Sequence, residues 1–220
     1  MVDIFDEVDE ELRAESAQKL LKRYSGLIAA AAFVVLGVAG GWQGWQWWQA
    51  RQDMAAATAF VTAAAAADGS DTLDPAARLA LGNAFDALAA GAPDGYRTLA
   101  RLRAAALKAD AGDVNGAAAL WDQVAGDAGA DPLLRDLATL MWAQRQLDQG
   151  DPARLEARLK PLTEPGNAWR ALAQEQLALL DMRQGHTDAA KAAFRKLSED
   201  VTAPAGVRSR AAALLSRIGA

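Results

Sequence analysis

The chain has 220 residues, a formal charge of −5, one histidine and no cysteine, which excludes disulfides, thiol chemistry and cysteine-based metal sites. Residues 1–50 hold four Lys/Arg against seven Asp/Glu and residues 51–220 the remaining 19 against 21, so the parts carry −3 and −2; neither is a basic patch, and nucleic acid is not an expected partner. Alanine dominates while β-branched and aromatic residues are scarce, a composition that favours helices over strands.

Residues 1–23 read as a charged leader, a short amphipathic helix with acidic residues near its start and Arg13, Lys19, Lys22 and Arg23 towards its end, as the helix dipole prefers. From Tyr24 to Ala50 there is no Asp, Glu, Lys, Arg or His. About 20 helical residues cross a hydrocarbon core of about 30 Å, so 24–48 is expected to be a single transmembrane helix. Tyr24 at one end and Trp42, Trp45, Trp47 and Trp48 at the other stand where interfacial aromatics anchor a span. Four basic residues precede the run and only Arg51 follows it closely, which predicts a cytoplasmic N-terminus and an exported remainder. A cleaved signal peptide and a buried soluble helix are the competing readings; seven acidic groups before the run and bulky Trp, not small residues, after it argue against the first, and the missing charges across 27 positions argue against the second. Within the run, Gly37 and Gly41, and Gly40 and Gly44, are two small-xxx-small pairs, a candidate helix–helix contact.

The remainder, 49–220, is predicted to be all-α. The helical pattern continues beyond Arg51 to Asp68, and Gly69-Ser70 interrupts it. Helices are then expected from Asp74-Pro75 to Gly91, from Asp94-Gly95 to Gly112, and from Asp113 to about Gly126. Asp131-Pro132 starts one that stops at Gly150, and Asp151-Pro152 restarts the chain at once. Pro165-Gly166 precede a helix ending at Gly185, His186-Thr187-Asp188 start another, and Pro204 precedes the last, ending at Gly219.

The punctuation repeats. Gly112-Asp113, Gly150-Asp151 and Gly185-His186 lie 38 and 35 residues apart. Seven places before each glycine stand Ala105, Ala143 and Ala178; five places after stand Ala117, Leu155 and Ala190, and nine after, Trp121, Leu159 and Phe194. A small residue where paired helices touch, with a large one locking the second helix, is what antiparallel packing needs. With these landmarks the chain resembles tetratricopeptide repeats, in three units at about 94–127, 131–163 and 166–200. Helices at about 53–68 and 75–91 form a degenerate pair before them, and 205–218 caps the stack. Leu155 departs from the small residue usual at its place, and the second and third units lack the customary aromatic in their first helix.

Leader, Trp-rich span and Ala-rich repeats together resemble the YfgM-like family of bacterial inner-membrane proteins, most specifically in EVDEELRAESAQKLLKRYSG and the span after it. That resemblance implies a periplasmic repeat domain held in the inner membrane as an ancillary part of the SecYEG translocon, with chaperone-like action on exported proteins and with those clients or periplasmic chaperones as partners. The alternative is a repeat scaffold for envelope assembly or cell-division complexes.

The chemistry of an enzyme is not expected. His186 stands at a helix start where Asp113 and Asp151 stand in the other units, so capping explains it better than base catalysis. No phosphate-binding, dinucleotide-binding or nucleophile-elbow motif stands in a strand–helix context, and no cofactor or small-molecule substrate is expected. A binding surface remains. The first helix of each unit lines the concave face of such a stack, and in this register presents Leu99 and Leu102, then Leu137, Leu140 and Gln144, then Leu172, Glu175, Leu179 and Met182. Such a groove takes an extended apolar segment or a partner's helix; equally, these leucines are core packed by the chain's own helices.

Overall fold

The structure, a computed structural model, describes residues 4–67 and 73–219, the side chains of 4–25, 28 and 219 excepted. The described residues form nine α-helices and no strand. α1 is Ile4–Ala67, α2 Pro75–Gly91, α3 Asp94–Asp110, α4 Val114–Ala125 and α5 Pro132–Gln146. α6 is Pro152–Leu159, α7 Arg170–Arg183, α8 Thr187–Glu199 and α9 Ala205–Gly219. Two compact units divide after Gln52. The expected break at Gly69-Ser70 and the side chains of the leader and of Tyr24 lie outside the described residues.

In the first unit, α1 exposes its apolar side chains between Leu27 and Trp48. Phe33, Val34, Val35 and Leu36 are consecutive and 65–78% exposed, so this stretch of the helix presents apolar side chains all round. Trp45 and Trp48 lean together at 5.7 Å, and the Arg51 guanidinium lies 4.4 Å from the Trp47 ring centre. Beta carbons built onto Gly37, Gly40, Gly41 or Gly44 would meet nothing within 4 Å. Among the described residues no helix is long and apolar enough to cross a membrane. Ile28, near the start of the expected span, lies outside those with described side chains, and the crossing at 24–48 does not stand on the structure.

In the second unit each helix from α2 to α9 packs on the next in sequence, the arrangement of stacked hairpins. Local chemistry sets the boundaries. Asp74, Asp113, Asp131 and Asp151 accept backbone N–H bonds from Ala77, Gly116, Leu133 and Arg154 at 2.7, 2.9, 2.7 and 3.0 Å, and Pro75, Pro132 and Pro152 supply first-turn residues with no N–H to satisfy. Two expected starts differ. α3 opens on Pro93 with no side-chain cap; Asp94 is already helical and pairs with Arg97 at 2.9 Å. α8 opens on His186, whose side chain does not cap the helix.

The three repeat glycines are not equivalent. Gly112 and Gly185 have φ of 91° and 80°, the left-handed conformation that ends α3 and α7; the amides of Asp113 and His186 return to the carbonyls of Lys108 and Asp181 at 2.8 Å each. Gly150 has no positive φ. It is glycine because a beta carbon would sit 2.7 Å from the Gln146 carbonyl oxygen and 3.0 Å from Gln146 Cβ. α6 is shorter than its counterparts because Pro161 cannot donate to the helix ladder, and the chain tightens into a 3₁₀ turn, Lys160–Thr163.

The landmarks are the core. Ala105, Ala143 and Ala178 are at most 1% exposed, as are Ala117, Leu155, Ala190, Trp121, Leu159 and Phe194. One buried cluster runs from Phe85 through Trp121 and Leu140 to Leu180; a second gathers Ala178, Phe194, Leu197, Val207 and Ala211, and Leu172 touches both. Phe60, at the end of α1, meets Phe85 edge-on at 5.7 Å and Tyr96 at 6.1 Å, so the degenerate first pair is joined to the stack through aromatics. Gly82 in α2 lets α3 approach closely: a beta carbon there would be 3.0 Å from Lys108 Cγ and 3.3 Å from the Ala104 oxygen. Gly82→Leu is expected to destabilise the stack by about 1–3 kcal/mol, as overpacking does, read as a lower urea midpoint with the slope preserved.

Candidate protein-binding surface

Counting back from Gly112, Gly150 and Gly185 places the predicted groove residues in rows. The row thirteen places before is Leu99, Leu137 and Leu172: Leu99 is 40% exposed and the other two are half-buried. The row ten places before is Leu102, Leu140 and Glu175, all buried. Gln144 is exposed, whereas Leu179 and Met182 are half-buried against α9 residues in the second cluster. The chain's own helices thus cover much of what the sequence offered as groove, and Leu99 and Gln144 are the members that solvent reaches most freely.

Glu175 is not a free carboxylate. Arg210 of α9 forks onto it, Nε donating to Oε1 at 2.7 Å and Nη2 to Oε2 at 2.6 Å; these bonds raise the Arg210 pKa, against a smaller lowering by burial. Sequence reading missed Arg210, although its place 35 residues after Glu175 is the interval that separates Ala143 from Ala178.

Contacts between residues 31–36 apart tie other units together. Arg183 at the end of α7 donates to the Leu147 and Gly150 carbonyls at the end of α5, at 2.5 and 2.7 Å, satisfying acceptors that a helix end leaves open. Arg145 pairs with Asp110. Arg158 reaches Asp122 at 2.5 Å while lying 4.1 Å from the buried Trp142 ring. Trp169 Nε1 donates to the Leu133 carbonyl at 2.9 Å, and Asn167 donates to Asp136 at 2.7 Å. Trp169, just before α7, stands where Tyr96 stands in the first repeat, so the third repeat does have an aromatic at that offset and the signal was present in the repeat count.

A family model described as a tetratricopeptide repeat-like domain matches residues 18–212. The chain belongs to that family. No curated protein and no solved structure matches it. The tetratricopeptide repeat-like fold is typically a scaffold for protein–protein interaction, not a catalytic one. His186 lines a cleft of about 420 Å³ with Glu156, Lys160, Asp181 and Gln184, its Nδ1 3.4 Å from Asp181 Oδ1. Among the described residues no group of three or more His, Asp and Glu is placed to hold a metal ion.

The link from α8 to α9 is built around Asp200. Its carboxylate accepts from the Thr202 hydroxyl at 2.5 Å and the Thr202 amide at 2.9 Å, and pairs with Arg170 at 2.9 Å. The Thr202 bonds chiefly, with Arg170 adding, hold its pKa below the usual carboxylate value. A lowered folded pKa stabilises above the unfolded value of about 3.9 and is lost as the pH falls through the folded value. An NMR titration of the Asp200 carboxyl carbon is therefore expected to show a midpoint below about 3.9, and Thr202→Val to move it upward.

Proposed function

We propose that this protein is anchored in the bacterial inner membrane by residues 24–48 and uses its exported repeats to bind other proteins at the SecYEG translocon, with chaperone-like action on chains being exported. The observation that carries the anchoring is α1 itself. Its run from Tyr24 to Trp48, counted over the whole sequence with Ser25 and Ile28 included, has no charged residue. The described apolar side chains in it are exposed on every side, and a helix apolar all round needs lipid or protein about it. The cationic residues before the run support a cytoplasmic leader and a periplasmic repeat domain. The repeat-like domain supports protein binding, and the resemblance of the leader and Trp-rich run to the YfgM-like family supports the translocon as its place of action. Tethering raises the effective concentration of the repeats near membrane partners, so modest intrinsic affinities suffice.

Photocrosslinkers replacing Trp45, Leu99 and Gln144 in the full chain test this in growing cells. Translocon components are expected from Trp45, and a mixture of exporting chains from Leu99 and Gln144. Recovery of one stoichiometric envelope protein from all three positions would contradict it and favour a fixed scaffold.

A further inference from the structure

Where α4 meets α6, charged side chains and an aromatic fill the seam. Asp122 of α4 takes Arg158 at 2.5 Å and Arg154 at 3.8 Å, both from α6. Their guanidinium groups lie 4.1 and 5.0 Å from the Trp142 ring centre. One unit further on, the repeat register replaces every one of these groups. Ten places after the repeat glycine, Asp122 gives way to Lys160; eight places before it, Trp142 gives way to Leu177. Four and eight places after it, Arg154 and Arg158 give way to Ala189 and Ala193. Three large side chains thus become smaller ones. Here, where α6, the end of α7 and the start of α8 come together, lies the cleft of about 420 Å³, with Lys160 and Leu177 in its lining.

The cleft has an excess of negative charge. Glu156 and Asp181 stand in its lining against Lys160. Glu156 and Lys160 are exposed, and neither forms an ion pair among the described residues. The one side-chain partner of Asp181 among them is the His186 ring at 3.4 Å, a long contact. A carboxylate accepts up to about four hydrogen bonds, so Asp181 keeps most of its acceptor capacity. Beside these acids Leu177 is half-buried and Leu180 buried, which gives the cleft an apolar floor. A long cationic side chain matches that pairing, since its stem lies on apolar surface while its head seeks acceptors. An anion would meet two carboxylates, and a neutral group would leave both without a cation.

We propose that this cleft holds an arginine side chain of a partner protein, its guanidinium accepted by Asp181 and Glu156 and its stem laid on Leu177 and Leu180. The arginines that α6 supplies from within the chain at the preceding seam are matched here by one from outside it. Guanidinium is favoured over ammonium because its planar fork can meet two carboxylates at once. The inference rests on the protein-binding reading for the source of the arginine, not for the charge preference of the cleft.

An amide NMR titration of the full chain in detergent tests it, with acetyl-glycyl-arginyl-glycine amide as the probe. The probe is expected to shift the amides of 156–163 and 177–186, and the same peptide with citrulline, a neutral isostere of arginine, to shift none. Asp181→Asn is expected to weaken binding about tenfold, the worth of a charge-assisted bond. Ala193→Arg, which supplies from within the chain the side chain of the preceding seam, is expected to abolish it. Asp181→Asn replaces no core residue, so it decides the matter should Ala193→Arg fail to fold. The proposal is overturned if the citrulline peptide binds as well, if Asp181→Asn binds unchanged, or if the arginine peptide moves none of these amides. Binding of free arginine without binding of the blocked peptide would make the cleft a site for a small zwitterion and overturn the partner. Peptide binding by a chain that crosslinks to no cellular protein from Leu99 or Gln144 would keep the arginine site and remove the proposed function.

Discussion

Trp121→Ala is expected to cost about 3–5 kcal/mol, the range for truncating a fully buried aromatic. Trp121 is 1% exposed and belongs to the larger cluster, where α3, α4 and α5 meet. Its loss removes the large side chain that locks the second helix of the first complete unit, so the helices on either side lose a shared partner. Trp121 Nε1 is also buried with no hydrogen-bond partner among the described groups. Trp121→Phe removes that orphan donor and keeps an aromatic ring, and is expected to cost clearly less than Trp121→Ala because it leaves a smaller cavity. Chemical denaturation followed by far-UV circular dichroism checks both, and equal losses for the two variants would show that packing of the ring is not what matters at this place.

Phe194→Ala is expected to cost a similar amount, about 3–5 kcal/mol, but in a different part of the chain. Phe194 is 0% exposed and lies in the smaller cluster with Ala178, Leu197, Val207 and Ala211. Repeat stacks are held by nearest-neighbour contacts and lose cooperativity from their ends. The expected result is therefore a loosening of 170–219 ahead of 94–160, visible as two phases in hydrogen exchange, where Trp121→Ala gives one. A single shared transition in Phe194→Ala would mean that the two clusters behave as one core.

Much of this was legible in the sequence, and the reasons are local. Aspartate before proline marks helix starts by hydrogen-bond chemistry, and Asp74, Asp131 and Asp151 act as caps where that chemistry places them. The offsets from Gly112, Gly150 and Gly185 found the buried alanines and the locking Trp121, Leu159 and Phe194, because a repeat stack buries the same places in each unit. The role of Gly150 was not legible: it shares the Gly-Asp step with Gly112, and it is the absence of a positive φ and the close approach of the Gln146 carbonyl that distinguish it. The groove was read from position alone, which cannot tell a concave face that is open from one that the chain covers itself. Glu175 shows why. A glutamate in a row of leucines suggests a wet surface until Arg210, 35 residues on, closes over it. His186 was read as a cap from its place in the series, whereas its ring turns to Asp181, leaving the backbone alone to start α8.

The proposed placement of the leader and the repeats on opposite sides of a membrane is tested most directly by cysteine labelling, since the chain has no cysteine of its own. Gln144→Cys, at an exposed position in α5, and Ser16→Cys, in the leader, are treated separately in intact spheroplasts with a membrane-impermeant maleimide. Labelling of residue 144 at once, and of residue 16 only after the membrane is permeabilised, is the predicted result. Immediate labelling at 16 with protection at 144, or recovery of the chain from the soluble fraction, would contradict it.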